Sequence, residues 1–319
     1  MAEVRGMERD RDIKQLFAQL HDEVHKVVIG NDKVIEEILL ALFCGGNILL
    51  EGVPGTGKTM MSKTLSKTLD CKYTRIQGTP DLGVKDIIGG TFYDENTGQY
   101  TVTKGPIFTN ILLMDEINRA PPKTQAALLE AMGEKIVSLG GTTYTLPKPF
   151  IILATQNPIE QEGTFPLPEA QMDRFLFKSI VEYPSPEQEM MVVKSKVSTQ
   201  TPEVIFNPAE ILIIQKEIKE TVQISDSILE YAVEIVQATR NRREIRVGAG
   251  PRASIAFMMT SKAIAFLEGR DYVTVLDIKR LAHPILRHRV LLYPEYSSMA
   301  VTPDDIIKKI LDTLEAPME

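Results

Sequence analysis

Cysteine is scarce in this chain. The two present, Cys44 and Cys71, lie in apolar-flanked segments and show neither C-x-x-C nor Cys/His spacing. A disulfide framework and a cysteine-ligated zinc site are thereby excluded, and both read as reduced structural thiols. Long apolar runs are missing as well: none approaches the ~18 residues of a membrane-crossing helix. The opening stretch MAEVRGMERDRD is polar and charged, unlike the apolar segment of a secretory signal. The expectation is a cytoplasmic protein without a membrane span. Nor is there a basic excess, since 36 Lys and Arg stand against 43 Asp and Glu, a formal net charge of −7. A general electrostatic grip on nucleic acid is therefore not expected, although Arg240, Arg242, Arg243 and Arg246 form a local basic cluster. What remains is an ordinary globular composition, 43% hydrophobic and 25% charged, in 319 residues, a length that suits about two domains.

Along the chain the hydrophobic period changes twice. Ile13, Leu16, Phe17, Leu20, Val24 and Val27 recur at helical steps, which predicts an amphipathic helix over 11–27. His21 and His25 sit four apart on it, a spacing that can share a metal ion, but no neighbouring carboxylate or cysteine completes a set. Surface histidines are the expectation. A second helix with Asn31 or Asp32 as cap carries Val34, Ile35, Ile38, Leu39 and Leu42 as its buried stripe. From residue 47 to about 183, short apolar runs alternate with helices. Residues 47–50, 72–76, 111–114, 150–154 and 175–181 are candidate strands, and runs such as ILLM and FIILA lack alternation, as strands covered on both faces should. This pattern predicts a parallel α/β sheet with two insertions. One is a Gly-rich stretch over 78–108 with a turn at 94–98, the other a hairpin over 135–145 about Gly140 and Gly141. After Tyr183-Pro184-Ser185-Pro186 the strands stop and helices follow near 186–198, 208–222, 226–240, 251–268, 274–289 and 303–314, with Asp226 and Thr302 as legible caps. The expected domains are 1–183, an α/β nucleotide-binding domain with N-terminal helices, and 184–319, an all-helical domain.

The strongest chemical signal is Gly52-Val53-Pro54-Gly55-Thr56-Gly57-Lys58-Thr59, which meets the G-x-x-x-x-G-K-[ST] pattern of a phosphate-binding loop. Its glycines let backbone N–H groups turn inward around phosphate oxygens, and the helix opening at Lys58 aims its positive end at the same place. Gly52, Pro54, Gly55, Thr56, Gly57, Lys58, Thr59 and Met60 are the candidate phosphate contacts, with Lys58 reaching the β and γ phosphates and Thr59 offering a hydroxyl to Mg²⁺. The second signal is Ile111-Leu112-Leu113-Met114-Asp115-Glu116, an apolar strand ending in two carboxylates. At the carboxyl end of a parallel strand such a pair faces the crevice of the phosphate loop. Asp115 is placed to hold Mg²⁺, and Glu116 to orient and deprotonate an attacking water. A GTPase would need a base-reading N-K-x-D motif, which is absent, so ATP is favoured.

The stretch LLMDEINRAPPKTQAALLEAM, followed by ILATQNP, FPLPEAQMDRFLF and GAGPRASIAF, resembles the MoxR family of AAA+ ATPases over roughly residues 12–315. The resemblance implies a P-loop AAA+ core with a five-stranded parallel sheet, a helix-2 insert at 78–108, a hairpin before sensor 1 at 135–145, and a helical lid. It implies further that Asn157 is the sensor 1 residue, Arg174 a finger presented to the ATP of an adjacent subunit, and Arg252 the sensor 2 arginine of the lid. Val28, Ile29 and Gly30 fall where this clade lines the adenine pocket. Asp81, Lys85 and Asp86 suit either a substrate pore or a solvated loop. His283 and His288 are assigned no chemistry.

Together these readings give Mg-dependent ATP hydrolysis by a homo-oligomer, which by resemblance is a hexameric ring. Its work would be chaperone-like remodelling or metal-cofactor insertion in partner proteins, commonly ones with a von Willebrand factor A domain. The family region fills the chain, so no separate substrate-recognition domain is expected and the client stays open. Two alternatives are a nucleic-acid-dependent motor, supported locally by the arginine cluster, and a nucleotide switch with little turnover.

Overall fold

The computed structural model describes residues 12–94, 98–158, 163–195 and 201–317. Two helices come first, α1 (Ile13–His25), capped by the Asp12 carboxylate, and α2 (Asp32–Phe43). Of the two candidate caps Asn31 takes the position, in a left-handed conformation (φ 59°), and Asp32 is the first helical residue. Strand β1 (Ile48–Glu51) runs through the phosphate loop into α3 (Lys58–Thr68), and β2 (Tyr73–Gln77) follows.

The first insertion builds a short helix, α4 (Val84–Ile88), and a hairpin of β3 (Gly89–Asp94) and β4 (Gln99–Lys104) in antiparallel register from Gly89 with Lys104 to Asp94 with Gln99. Residues 95–97 of the expected turn lie outside the described residues. Asp86 serves this insert locally, accepting from the Gly83 N–H at 2.8 Å. Next come β5 (Ile111–Asp115), α5 (Pro122–Glu134), the second hairpin of β6 (Ile136–Leu139) and β7 (Thr142–Thr145), and β8 (Ile151–Gln156). A single-turn α6 (Glu169–Met172) leads to β9 (Phe177–Ile180).

The main sheet has five strands in the order β2-β5-β8-β1-β9, and every pairing is parallel. Both faces are covered, as the unalternated apolar runs require. Ile48, Leu50, Ile111, Leu113, Ile151 and Leu153 enter one apolar cluster, whereas Leu49, Leu112, Met114, Ile152 and Ala154 enter a second against α5 and the inserts.

The remaining helices are α7 (Pro186–Ser195), α8 (Pro208–Thr221), α9 (Asp226–Ala238), α10 (Pro251–Leu267), α11 (Val275–Leu286), α12 (Pro294–Ser298) and α13 (Pro303–Thr313). The expected end of α7 beyond Ser195 lies outside the described residues. Caps set most of these starts. Asn207 with Glu210, Thr274 with Asp277 and Thr302 with Asp305 each form a reciprocal capping box. For α9 the cap is Ser225 rather than Asp226, because the Ser225 hydroxyl, one residue earlier, reaches the Ile228 N–H and Asp226 is already helical.

Strands do not stop at residue 183. β10 (Ile245–Val247) and β11 (Leu291–Leu292) pair as a small antiparallel ribbon that joins two distant segments of this otherwise helical region. Two and three residues are too few to leave a period in the sequence. The helical region also shares its core with the sheet: Phe257, Ile264, Leu281 and Ile307 belong to the same cluster as Leu39 of α2 and Leu50 of β1. No helix among the described residues is long and apolar enough to cross a membrane.

Candidate functional site

At the carboxyl edge of the sheet the chain leaves β1, β2, β5 and β8, and the side chains there face one cavity of about 430 Å³. Gly52, Pro54, Gly55, Thr56, Gly57, Lys58, Thr59 and Met60 line it from the loop, with Asp115, Glu116 and Asn157 opposite. Every expected phosphate, carboxylate and sensor 1 position is thus brought together. Gly55 (φ 85°) and Gly57 (φ 83°) occupy the left-handed region, and a Cβ on either would meet no heavy atom within 4 Å. The cradle is open toward the space a phosphate would fill. Lys58 Nζ turns back onto the loop itself, donating to the carbonyls of Gly52 at 2.7 Å and Val53 at 2.8 Å. Burial lowers the Lys58 pKa, and the charges of Asp115 and Glu116 oppose that shift.

The two carboxylates are held by groups that no motif in the sequence marks. Asp115 Oδ1 accepts from Thr155 Oγ1 at 2.6 Å, and the Arg75 guanidinium donates to Asp115 Oδ2 through Nε at 3.1 Å and Nη2 at 2.7 Å. Glu116 takes a left-handed backbone (φ 54°), an uncommon conformation for a non-glycine residue, which turns the chain sharply at the strand end. Its N–H donates to Thr155 Oγ1 at 2.8 Å, and its carboxylate accepts from Gln77 Nε2 at 2.9 Å and Arg119 Nη1 at 3.1 Å. Gly78 permits this packing: its N–H donates to the Asp115 carbonyl at 2.7 Å, and a Cβ there would stand 2.1 Å from the Glu116 carbonyl oxygen. Strand register is the signal that could have found Arg75, Gln77 and Thr155, because Gln77 pairs with Asp115 and Thr155 directly precedes Gln156-Asn157.

A hard cation fits the donor set. Thr59 offers a hydroxyl and Asp115 a carboxylate, both oxygen ligands of the kind Mg²⁺ takes together with phosphate oxygens.

Arg174 and Arg252 are not in this cavity. Arg252 binds Asp173, at the start of the segment entering β9, and Arg174 follows that residue in sequence. Asp173 Oδ2 accepts from Arg252 Nη1 at 3.2 Å and Oδ1 from Arg289 Nε at 2.8 Å. Arg174, although it follows Asp173, donates instead to the Leu129 carbonyl of α5 at 3.2 Å and is exposed. Arg289, which carries no motif, is buried and spreads its N–H groups over the carbonyls of Asp173, Phe175, Leu176 and Ile285. His288 beside it is buried, and burial holds its pKa well below the usual histidine value. Neutral, it donates from Nε2 to the Phe175 carbonyl at 3.1 Å.

Val28, Ile29 and Gly30 form the α1–α2 turn and do not line the phosphate cavity; a Cβ on Gly30 would strike the Gln188 side chain of α7. In the basic cluster, Arg240 donates to the Ala249 carbonyl, Arg242 to Thr313, and Arg246 pairs with Glu169 at 2.7 Å. Three of the four arginines thus have partners within the chain, Arg246 reaching from the helical region to α6.

Comparison with known proteins agrees with this geometry. Residues 47–177 match the ATPase family associated with various cellular activities (AAA), and residues 237–310 match the AAA lid domain. The chain is 42% identical to the Bacillus subtilis protein YeaC over 98% of both chains. It is 40% identical to the Mycobacterium tuberculosis protein named Chaperone MoxR1, over 92% of this chain and 81% of the relative. Among solved structures, a candidate ATPase from Cytophaga hutchinsonii superposes with a TM-score of 0.89 at 42% identity, covering 96% of each chain.

Proposed function

The chain belongs to the MoxR family of AAA+ ATPases, and from that premise we propose that it hydrolyses ATP with magnesium at sites shared between the subunits of a ring. One observation carries this reading. The glycine cradle, Lys58, Thr59, Asp115, Glu116 and Asn157 share one cavity, while the two arginines expected to complete it stand elsewhere, Arg252 on Asp173 and Arg174 on the Leu129 carbonyl.

Within one chain, Lys58 exchanges the carbonyls of Gly52 and Val53 for β and γ phosphate oxygens, and the N–H groups of the loop close around them. Thr59 and Asp115 would hold magnesium, which would offset the charge of the phosphates. Asn157 orients a water, and Glu116 takes its proton as the water oxygen attacks the γ-phosphorus and the bond to the β-phosphate oxygen breaks. Before that step Glu116 must leave Gln77 and Arg119, so Gln77 is a positioning residue that holds the carboxylate aside. Arg174 serves the nucleotide of the neighbouring subunit by neutralising charge on the transferred group, and Arg252 serves as the sensor 2 arginine of the lid. Net negative charge and the internal use of Arg240, Arg242 and Arg246 speak against nucleic acid as the driven substrate. Protein remodelling fits better, as in the relative named a chaperone, and a hexamer acting on partners with a von Willebrand factor A domain, or inserting their metal cofactor, is the form we infer.

Mixing variants tests the shared site. Arg174→Ala and Glu116→Gln chains should each be inactive alone. Co-assembled, they should regain hydrolysis, because an Arg174→Ala chain keeps an intact cavity and receives an arginine from its Glu116→Gln neighbour. An Arg174→Ala protein that hydrolyses ATP at the parent rate would refute the arrangement.

A further inference from the structure

Three ligating side chains converge at the α1–α2 turn, outside the phosphate cavity. His21 and His25 lie one turn apart near the end of α1. Asp32, the first residue of α2, is brought back against them by left-handed residues at Gly30 (φ 73°) and Asn31 (φ 59°). The carboxylate that the helical spacing alone does not provide is supplied by this chain reversal. Asp32 Oδ1 stands 3.0 Å from His25 Nε2 and 3.7 Å from His21 Nε2, and the two ring nitrogens are 3.2 Å apart. Four-coordinate zinc with bonds of ~2.0 to 2.2 Å places its donor atoms about 3.3 to 3.6 Å apart, along the edges of a tetrahedron. The three separations bracket that edge.

Proton bookkeeping points the same way. His25 Nδ1 is 2.9 Å from the Val28 carbonyl oxygen, which can only accept, so Nδ1 carries the proton and Nε2 of the neutral ring presents its lone pair. A ring N–H given to a backbone carbonyl is how proteins commonly hold a metal-ligating histidine. While both rings are neutral, one proton at most, on His21 Nε2, serves three converging electron-rich atoms. A divalent cation satisfies all three at once.

We infer that His21 Nε2, His25 Nε2 and Asp32 Oδ1 bind one zinc-class divalent ion with water in the fourth position, stapling the end of α1 to the start of α2. Two imidazoles and a carboxylate suit zinc and its transition-metal neighbours. Magnesium and calcium take six or more ligands, chiefly oxygen. The site is open, with side chains 36%, 23% and 61% exposed. α1 and α2 already share a core through Leu20, Val24, Val28 and Ile35. The ion is therefore an exchangeable staple that reports metal supply to the turn, not a requirement for folding.

The test titrates Zn²⁺ into chelator-treated, tag-free full chain without nucleotide, against a chromophoric chelator, and repeats it with Co²⁺ to read coordination geometry. One equivalent should bind, unaffected by excess Mg²⁺, with the intense visible absorption of four-coordinate Co²⁺. His21→Gln, His25→Gln and Asp32→Asn should each weaken binding by ~10-fold or more, whereas Lys58→Ala should retain it. His21 and Asp32 are exposed enough that their variants should unfold with the parent's midpoint in chelator. Absence of stoichiometric binding, a six-coordinate Co²⁺ spectrum, or undiminished binding in all three ligand variants would overturn the site.

Discussion

Arg289→Met removes a buried guanidinium that ties the lid to the segment carrying Arg174. The Arg289 side chain is 4% exposed, and its Nε donates to Asp173 Oδ1 at 2.8 Å. Its Nη2 donates to the carbonyls of Asp173 at 3.1 Å and Phe175 at 2.6 Å, and Nη1 to that of Leu176 at 3.2 Å. Burial pushes the Arg289 pKa down and Asp173 opposes the shift, yet a guanidinium stays charged at any working pH. Methionine fills much of the space but donates nothing. The Phe175 carbonyl keeps His288, and Asp173 keeps Arg252, whereas the carbonyls of Asp173 and Leu176 lose their arginine donors. Removing one partner of a buried ion pair costs ~3 to 5 kcal/mol. Asp173 is 29% exposed and partly rehydrates, so the lower end, about 3 kcal/mol, is expected. Tryptophan is absent, so urea unfolding is best followed by far-UV circular dichroism. Arg289→Lys, which keeps the charge but not the fork, should fall between parent and methionine variant. In the assembled protein, both should lower the rate of hydrolysis while nucleotide affinity holds, because the segment bearing Arg174 loses its anchor. A methionine variant as stable as the parent to within ~0.5 kcal/mol, a change typical of an exposed site, would refute the reasoning.

Two further outcomes follow from the site and its surroundings. In the proposed site Arg75 would compete with magnesium for Asp115, so Arg75→Ala should lower the Mg²⁺ concentration needed for half-maximal hydrolysis by up to about five-fold, the equivalent of the ~1 kcal/mol of an exposed ion pair. A higher requirement would mean that the guanidinium orients the carboxylate instead. Glu37 is buried, and desolvation raises its pKa above the ordinary 4.5 despite the hydrogen bond from Ser179. The folded state then binds more protons than the unfolded one as pH rises above that value, so Glu37 lowers stability progressively through the window up to its folded pKa. Glu37→Gln should gain over the parent across that window and show no advantage below it, as read from urea midpoints between pH 4 and 8.

Whether a feature is legible in the amino-acid sequence depends on how local its signal is. The three central strands β1, β5 and β8 are readable because each is an unalternated apolar run, whereas the edge strands β2 and β9 mix polar with apolar residues; the phosphate loop is readable because its function requires glycines at fixed spacing. Asp32 is invisible as a partner of His21 and His25, since it reaches them through two consecutive left-handed residues that no apolar period records. Arg75, Thr155 and Arg289 escape notice for a related reason: each meets its carboxylate across strands or domains, at separations of 40 and 116 residues. Asp226 reads as the α9 cap in place of Ser225 because both residue types accept from a helix N-terminus, and one residue of offset decides which hydroxyl or carboxylate can reach.

The sheet topology itself argues for a site that one chain cannot complete. In a parallel sheet all carboxyl ends lie on one edge, so β1, β5 and β8 deliver the phosphate loop, Asp115 with Glu116, and Asn157 to the same cavity. β9 runs parallel to β1 with Phe177 level with Ile48 and Ile180 level with Glu51. Arg174 enters before Phe177, at the amino end, and the paired span alone sets it about 10 Å below the edge where the loop begins. Its side chain already turns to α5 instead, donating to Leu129, and Asp173 beside it is clamped by Arg252 and Arg289. Bringing Arg174 to its own phosphate loop would require unpairing β9 and dissolving that clamp. A second copy that presents its amino edge to the first copy's cavity needs neither, and in the shared site we propose the clamp would couple lid position to that arginine.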